Sequence, residues 1–407
     1  MNTGHQLVTR VFTRYGRRVF QVILLSFSLG MSLVALARTS SDRFSQTDLV
    51  APLPQQNQKF SNDRVQLEGR LRIGSQFFNN ETDQANNASF TLGTKFNYKF
   101  IESLKLKTEI ELSFSSGRAQ SQIEDDRLSD GFNAREAVVA FEPNSYLELG
   151  AGAVNQRRLV STPLLMSNRS FPGAYEQVNF GNEKNFLKIR LGQAVPTSQS
   201  FDSDRQEKEK LPTFSQEVLA AGFQPNQHIR FESFVLHYRY ANLPSVVAYK
   251  SISRGNTIDG QTATSSNFHF DFNGVMGGIK TEIMPTTRFS LIGEFQAIEN
   301  LKAKDTFNSG QLAQVGAKFL VNGITVTPFI GAFYNESDTS PGAYNSGEFG
   351  HNNREGTFYN LEVAFNDYNF KIIGNYVDAQ VVGQVDRLTQ TDQQYFYLGL
   401  ETLYVEF

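Results

Sequence analysis

The sequence predicts an all-β protein, a transmembrane antiparallel β-barrel of about 16 strands, and three observations support this fold class. Past Asp63, apolar and polar residues alternate with the period of a β-strand. Tight turns and long polar connections alternate between the strand-like segments, and the chain ends on Phe407 behind alternating apolar residues. A tilted strand of roughly ten residues crosses a hydrocarbon layer, and a closed sheet leaves no backbone group unpaired within it.

Composition and charge narrow the classes of function. The 407 residues contain 38 Lys+Arg against 41 Asp+Glu and no Cys. Because nucleic-acid binding requires clustered positive charge, no nucleic-acid partner is expected. Without cysteine the chain has no disulfide, no thiolate metal site and no cysteine nucleophile. The 36 Phe and 15 Tyr, in a chain that is only 40% hydrophobic, suit strands with aromatic residues near both ends.

Residues 1–37 have the order of a secretory signal peptide. A basic segment precedes an apolar run from Val19 to Val34, and Ala35-Leu36-Ala37 supplies the small residues of a cleavage site. The apolar run approaches the length of a membrane anchor, but its polar residues and the cleavage site favour removal. Residues 38–63 are polar and contain two prolines, which predicts a flexible periplasmic lead-in. The barrel is therefore expected to comprise residues 64–407.

Three strand patterns follow in close succession. Val65–Phe77, Phe90–Phe100 and Leu104–Phe114 each place apolar residues at alternate positions, with charged or small polar residues between them. A polar loop is expected between the first two segments and a tight turn between the next two. The aromatic residues expected to form interfacial girdles are Phe77, Phe100, Phe114, Phe141 and Tyr146.

Parity constrains the number of strands. Further tight turns are predicted at five places: near Pro143, Pro225, Pro285, Asn322 and Asn366. Both ends of such a barrel lie in the periplasm, which requires an even number of strands. The number is even when Tyr175–Gly181 is taken as a strand and Val246–Ser251 is placed in a long excursion between Tyr240 and Asn267. The result is about 16 strands, with about 14 or 18 as alternatives.

The chain terminus and the overall pattern resemble those of Gram-negative porins. Phe407, with Val405 and Leu403 alternating before it, resembles the signal by which the barrel assembly machinery recognises outer-membrane barrels. The porin resemblance covers residues 64–407 and implies an outer-membrane location, contact with outer-membrane lipid and lipopolysaccharide, and passage of small solutes. It leaves both a monomer and a homotrimer open. The stretch from Arg135 to Glu176 loosely resembles the phosphate-selective porins.

A barrel of this width is expected to hold an aqueous lumen, because its own side chains cannot fill it. In porins of this size the loop after the fifth strand typically narrows the lumen, and the resemblance assigns that place to residues 155–174. Arg157, Arg158 and Arg169 of this segment are predicted to form a constriction that attracts anions. Alternation also predicts basic side chains on the lumen wall: Arg70, Arg72, Lys95, Lys105, Lys107, Lys188 and Arg190. The alternative is that these are solvated wall residues paired across strands.

Two other classes of function were weighed. A hydrolase needs a nucleophile and a base, and His237 and His269 are expected on adjacent strands where they could face each other. Neither belongs to a Ser or Asp arrangement of recognisable spacing, so the protein is not expected to be an enzyme. No metal or cofactor is expected. A non-conducting structural or surface-interaction barrel would carry a folded plug before its first strand, and residues 38–63 are too few for one.

Overall fold

Strands account for nearly all the regular structure of the chain. The computed structural model describes residue 49 and residues 64–80, 84–118, 130–196, 210–383, 390–402 and 405–406. The elements of this part of the chain are β1 Val65–Asn80, β2 Gln84–Ile101, β3 Leu104–Arg118, β4 Asp130–Phe141, β5 Leu147–Asn155, β6 Ser170–Gly181, β7 Phe186–Ala194, β8 Thr213–Asn226, β9 Ile229–Ala241, α1 Ser245–Ser251, β10 Ile258–Asp259, β11 Asn267–Phe268, β12 Phe272–Thr286, β13 Phe289–Asn300, β14 Ser309–Val321, β15 Ile324–Asn335, β16 Arg354–Phe365, β17 Phe370–Val381, β18 Gln393–Thr402 and β19 Val405–Glu406. Short 3-10 turns lie at Gly347–Phe349 and Asn366–Tyr368.

The sheet closes on itself. Consecutive barrel strands pair antiparallel, β12 pairs with β9 across an excursion that contains α1, β10 and β11, and β18 and β19 both pair with β1. β18 and β19 are two parts of the last strand, so the barrel has 16 strands. At this closing seam Gly74 faces Gly399 and Gly69 faces Val405. The predicted fold class and strand number are confirmed, while Phe407 lies outside the described residues.

Tight turns lie at one end of the barrel, and the connections at the other end are longer except for the three residues between β1 and β2. The seven turns that follow β2, β4, β6, β8, β12, β14 and β16 contain two to five residues each. In the turn between β14 and β15, Asn322 and Gly323 have φ of 50° and 79°, the positive values that a two-residue hairpin requires. This asymmetry is typical of transmembrane barrels, whose short turns are periplasmic.

Three details differ from the prediction. β1 and β2 are joined by residues 81–83 alone, because their polar ends continue the pairing as far as Asn79 with Gln84, beyond the apolar alternation. β6 begins at Ser170, so the loop predicted at residues 155–174 is confined to 156–169. Val246–Ser251 lies in the predicted excursion, but as part of helix α1.

Alternate residues of the barrel strands form an apolar outer surface. On β1, Ile73 is 50% exposed and Phe77 is 49% exposed, whereas Arg70 of the same strand points into the lumen and pairs with inward carboxylates. The five aromatic residues predicted for the girdles are all exposed: Phe77, Phe100, Phe114, Phe141 and Tyr146. Within the described ranges, no helix has the length and apolar character of a membrane span.

One side of the lumen is filled by loops. Residues 156–169, 245–256 and 336–353 fold inward, and we call these three segments the inner plug. Their buried apolar side chains form one cluster with inward-facing wall residues, among them Leu159, Leu164, Leu165, Met166, Val247, Tyr344 and Phe349 of the plug and Phe214, Phe234, Tyr238, Tyr240, Phe272, Phe333, Phe358 and Val377 of the wall. Since wall side chains alone cannot fill a barrel this wide, the loops supply the missing volume.

Candidate functional site

The inner plug is one folded unit made of three chain segments. Ser167 N donates a hydrogen bond to Tyr344 O at 2.6 Å, which joins its first and third segments. Gly342 N donates to Asn256 Oδ1 at 2.6 Å, which joins the third segment to the second. The three segments are far apart in sequence, so each is held in the lumen mainly by the other two and by the wall.

Aromatic rings fix the plug to the barrel wall. Tyr240 of β9 stacks on Tyr344 of the plug, with ring centroids 5.7 Å apart and planes 10° apart. Phe349 of the plug lies between Phe333 and Phe358, with centroid distances of 5.0 and 5.1 Å. Buried aromatic pairs contribute about 0.5–1.5 kcal/mol each beyond the area that they bury. The plug therefore has a defined position against β9, β15 and β16.

The buried amide of Asn352 organises the third plug segment together with that of Asn256, which donates to the same carbonyls of Ser337 and Ser340. Asn352 is 0% exposed, and its Nδ2 donates to Ser337 O at 2.9 Å and to Ser340 O at 2.6 Å. Its Oδ1 accepts from Asn335 Nδ2 at 2.7 Å and from Asn345 Nδ2 at 2.6 Å. Both donors and both acceptor positions of the amide are thus used.

Two titratable groups of the plug have opposite pKa shifts. Burial raises the pKa of Asp338 to about 6, although hydrogen bonds from Thr257 N and Asn256 Nδ2 act in the other direction. Burial, together with the nearby Arg254, lowers the pKa of His351 to about 3. Around pH 5 both side chains are therefore neutral in the folded plug.

We expect the stability of the plug to change little between about pH 4 and 6, because the two groups oppose each other. Asp338 contributes fully to the stability of the plug below its ordinary pKa of 3.8, and this contribution is lost as the pH rises through 6. His351 contributes fully above its ordinary pKa of 6.5, and its contribution is lost as the pH falls towards 3. His351→Gln should therefore leave a plug that opens more readily as the pH rises, and Asp338→Asn one that opens more readily as it falls. Hydrogen exchange of residues 336–353 measures both slopes, and slopes of equal sign would contradict the assignment.

Opposite the plug, the inner faces of β18 and β1–β5 and the turn after β4 are lined by charged side chains, which we call the charged wall. It contains five of the seven predicted basic wall residues. Its basic members are Arg70, Arg72, Lys95, Lys99, Lys105, Lys107 and Arg135, and its acidic members are Glu68, Glu109, Glu111, Glu136, Glu142, Glu148 and Glu401. Because β-strands place alternate residues on one face, these groups come from alternate positions of neighbouring strands, except for Arg135, which a bulge in the pairing of β3 with β4 places beside Glu136.

Ion pairs cross the closing seam on this wall. Arg70 Nη1 lies 2.7 Å from Glu401 Oε1 on β18, and its Nη2 lies 2.5 Å from Glu111 Oε1 on β3. Arg72 Nε lies 3.3 Å from Glu401 Oε2. Glu401 is 4% exposed, so its two arginine partners compensate a carboxylate that is largely removed from water.

A second set of ion pairs lies nearer the short turns. Lys107 Nζ lies 2.5 Å from Glu142 Oε1 and 3.0 Å from Glu148 Oε1. Burial would raise the pKa of Glu142, which lies in the turn after β4, but Lys107 and Lys105 together hold it below its usual value. The wall therefore presents paired charges of both signs to the lumen.

Arg158 reaches from the plug to the charged wall. Its guanidinium hydrogen-bonds Glu136 of β4 and lies 3.7 Å from Glu148 of β5. Arg157 lies beside it, 3.8 Å from Glu348 within the plug. The two arginine side chains are 28% and 17% exposed, respectively, so both remain in contact with water where the plug and the wall come together.

The other predicted site residues have different surroundings. Arg169 Nη1 donates at 3.2 Å to the carbonyl of Ala343 inside the plug. Lys188 is 1% exposed with its Nζ 5.0 Å from the ring of Phe186, and Arg190 is 0% exposed with its guanidinium 4.0 Å over the ring of Tyr175. Lys188 and Arg190 face inward as alternation indicates, but they are buried rather than open to the lumen.

Leu49 takes part in the plug although it lies in the predicted lead-in. It is 0% exposed, belongs to the same apolar cluster as Leu159 and Val160, and its carbonyl accepts from Ser161 N at 3.0 Å. Sequence reasoning missed this contact, because one leucine in a polar segment has no periodicity to reveal it. The predicted signal peptide, and the rest of the lead-in, lie outside the described residues.

The two central histidines do not face each other. His237 points outward on β9, where its Nδ1 lies 3.4 Å from Glu217 Oε2. His269 precedes β12 in the excursion and lies 3.0 Å from Asp259. The expectation that they lie on adjacent strands was wrong, because the alternation of residues 267–271 belongs to a loop. No group of three or more His, Asp or Glu side chains suited to a metal ion occurs in the described part of the chain.

Comparison with known proteins finds this fold at low sequence identity. No protein-family model and no curated protein matches the chain. The high-pH structure of OprB from Pseudomonas putida gives a TM-score of 0.53 at 10% identity, over 84% of this chain and 94% of that chain. A loop L8 deletion mutant of OmpT, an outer membrane protein of Vibrio cholerae, gives 0.50 at 11% identity, over 84% and 99% of the two chains.

These likenesses concern the fold, and the features of the chain itself agree with them. The sheet is closed, its outer surface is apolar with exposed aromatic residues near the strand ends, and its short turns lie at one end. The chain is an outer-membrane β-barrel of the porin-like, 16-stranded kind.

Proposed function

We propose that this protein is a passive diffusion channel for small hydrophilic solutes across the outer membrane. The observation that carries the proposal is the partial water exposure of the charged wall opposite the inner plug. The plug packs against β6–β17, whereas the basic side chains of the opposite wall keep part of their surface in contact with water, such as Arg72 at 25% and Lys105 at 26%. A barrel of this width holds an aqueous lumen wherever it is not filled.

The pairing of charges on the wall supports passage without strong selection among neutral solutes. Polar groups of a solute can exchange water for the paired carboxylates and cations, while no isolated charge holds the solute in place. The plug reduces the cross-section, so size is expected to be the main criterion for passage.

We further propose a mild preference for anions, which Arg157 and Arg158 would set. The seven basic and seven acidic members of the charged wall balance, so the two plug arginines add positive charge where plug and wall meet. Each of them also has a carboxylate neighbour, Glu348 or Glu136, which reduces the effect. Rings of charge at a constriction determine ion preference in channels.

Current recordings from purified protein in planar bilayers test both the proposed channel and its proposed preference for anions. We expect stepwise current, and we expect Arg157→Glu with Arg158→Glu to move the reversal potential in a salt gradient towards the cation value. Lys302→Glu with Lys304→Glu, on the exposed loop between β13 and β14, makes the same change of charge away from the lumen and is the control. No conductance removes the channel, whereas an unchanged reversal potential removes only the role of the two arginines.

A non-conducting structural barrel is the second candidate, and Leu49 favours it. A residue from before β1 contributes to the core of the plug, so the lumen receives chain from two directions. Protein that is folded, as judged by circular dichroism, and that still gives no current would support this candidate over the channel.

The outer-membrane location indicates which partners this protein is expected to have. We propose contact of the outer surface with lipid and lipopolysaccharide, insertion by the barrel assembly machinery through the terminal Phe407, and self-association in the membrane, for which a homotrimer is one arrangement. An apolar band flanked by aromatic residues supports the lipid contact.

A further inference from the structure

One sector of the outer surface carries a concentration of ionisable side chains. We call five of them the polar stripe: Glu176 on β6, Glu217 on β8, His237 and Arg239 on β9, and Glu299 on β13. Among the outward-facing side chains that the structure describes on β1–β5, β14, β15 and β18, none is ionisable. Outward acids elsewhere on described strands are Glu355 and Asp378, close to the ends of β16 and β17.

The stripe follows the pairing of neighbouring strands. Glu176 and Glu217 both face Leu191 of β7, one from each side. Glu217 faces His237 directly, and the row continues through β12 to Glu299. Four of the five groups therefore lie on one continuous row, and Arg239 lies two residues above it on β9.

The depth of Glu176 makes lipid a poor neighbour for this side chain. Glu176 lies five residues before the end of β6 at Gly181, or about 13 Å above the short turns at about 3.3 Å per residue and a tilt of about 40°. The apolar band of such a barrel is about 25 Å tall, which places Glu176 near its middle. Charged groups that face lipid are destabilising in a depth-dependent way, so a protein neighbour is favoured.

The surface beside Glu176 is unusually shallow. Outward positions there are occupied by alanines, with Ala151 of β5 paired to Ala174 of β6 and Ala153 next along the strand. On β1 and β18, by contrast, outward positions carry large residues such as Ile73 and Leu398, which are 50% and 49% exposed. Small side chains allow membrane-embedded elements to approach closely.

We propose that a second copy of this chain packs on the polar stripe in the membrane. Copies that share one membrane and one orientation are related by rotation about the membrane normal, so groups of equal height meet. Arg239 lies ten residues above the start of β9, Glu299 ten above the start of β13, and Glu217 nine before the end of β8. Arg239 of one copy can therefore meet Glu217 or Glu299 of the next.

Charge complementarity supports a second copy as the occupant. Glu217, Arg239 and Glu299 of the stripe place carboxylates and a base at similar heights, which is what a surface that binds itself requires. Arg239 has no ion-pair partner among the residues that the structure describes, so its guanidinium is available to a neighbour. This inference rests on the outer-membrane location and is independent of conduction.

Charge reversal tests the proposal on the full-length protein. Native mass spectrometry in mild detergent, and cross-linking in outer-membrane vesicles, should both detect an oligomer of the wild type. Arg239→Glu, and separately Glu217→Arg with Glu299→Arg, should each lower the oligomer fraction at least tenfold, and the triple variant should restore it. Asp378→Arg makes a similar change on β17 and should leave the oligomer intact.

Several results would overturn the proposal. These are a monomeric wild type, an oligomer that survives Arg239→Glu, or a triple variant that stays monomeric while circular dichroism shows it folded. A monomeric wild type that retains lipopolysaccharide would assign the stripe to lipid instead. If Arg239→Glu does not fold, Arg239→Gln removes the same charge and is measured in its place. A conducting monomer removes only this interface, and an oligomer without current removes only the channel.

Discussion

Asn352→Leu is expected to raise the single-channel conductance several-fold. Leucine has a branched shape like that of asparagine, but it is larger and forms no hydrogen bond. The carbonyls of Ser337 and Ser340 lose one of two amide donors and keep that of Asn256, whereas the amides of Asn335 and Asn345 lose their shortest acceptor. The loss of four buried hydrogen bonds, at about 0.5–1.5 kcal/mol each, together with the added volume is more than a loop held by a few aromatic contacts can tolerate. The third plug segment should then leave its place and widen the lumen, which single-channel recording measures.

A matched control separates this effect from a general change in polarity. Asn267→Leu alters an exposed asparagine of the excursion before β12, whose amide makes one long hydrogen bond of 3.4 Å to Ser265 O. Its conductance should equal that of the wild type. A wild-type conductance in Asn352→Leu would show that the plug does not depend on this amide, and a loss of current would show that the plug holds the channel open.

Glu401→Leu is expected to destabilise the folded barrel by about 1–3 kcal/mol, because it removes a carboxylate that accepts from two arginines but leaves Arg72 partly in contact with water. Glu401 is 4% exposed and accepts from Arg70 at 2.7 Å and from Arg72 at 3.3 Å across the closing seam. Without it, Arg72 loses the carboxylate that compensates its charge, while Arg70 keeps Glu111. The free energy of unfolding can be measured in urea from the fraction that retains the folded electrophoretic mobility.

Glu362→Leu provides the comparison for the seam. It breaks one inward ion pair, that of Glu362 with Lys371 at 2.9 Å, between two strands that do not close the barrel. We expect it to lose less stability than Glu401→Leu, because one cation rather than two is affected. Equal losses in the two variants would show that the seam has no special dependence on its carboxylate.

The alternation of apolar and polar residues in the sequence was sufficient to predict the barrel and part of the candidate site. One face of each strand meets the apolar exterior, so the period of two in Val65–Phe77 directly records which residues point inward. For the same reason Arg70, Arg72 and Lys107 could be assigned to the lumen from the sequence. The turn residues Asn322-Gly323 fix one hairpin through their positive φ, which is a local property.

Only the first plug segment was expected in the lumen, from the porin resemblance, and the rest of the plug could not be predicted because it depends on contacts between distant segments. The hydrogen bond from Ser167 to Tyr344, and the contact of Leu49 with Ser161, involve no periodic pattern and no recognisable motif. Alternation predicted that the side chains of Lys188 and Arg190 point inward. It could not predict that they are buried, because burial depends on the residues that pack against them inside the barrel. The polar stripe was missed for a related reason, because the strands that carry it were placed without fixing their register.

The central proposal is a water-filled passage between the inner plug and the charged wall, and liposome swelling with neutral sugars of increasing size tests it most directly. A passage narrowed by the plug should admit monosaccharides and exclude large oligosaccharides. Exclusion of every sugar, by protein shown to be folded and inserted, would contradict the passage. Equal rates for the smallest and the largest sugars would contradict the narrowing by the plug.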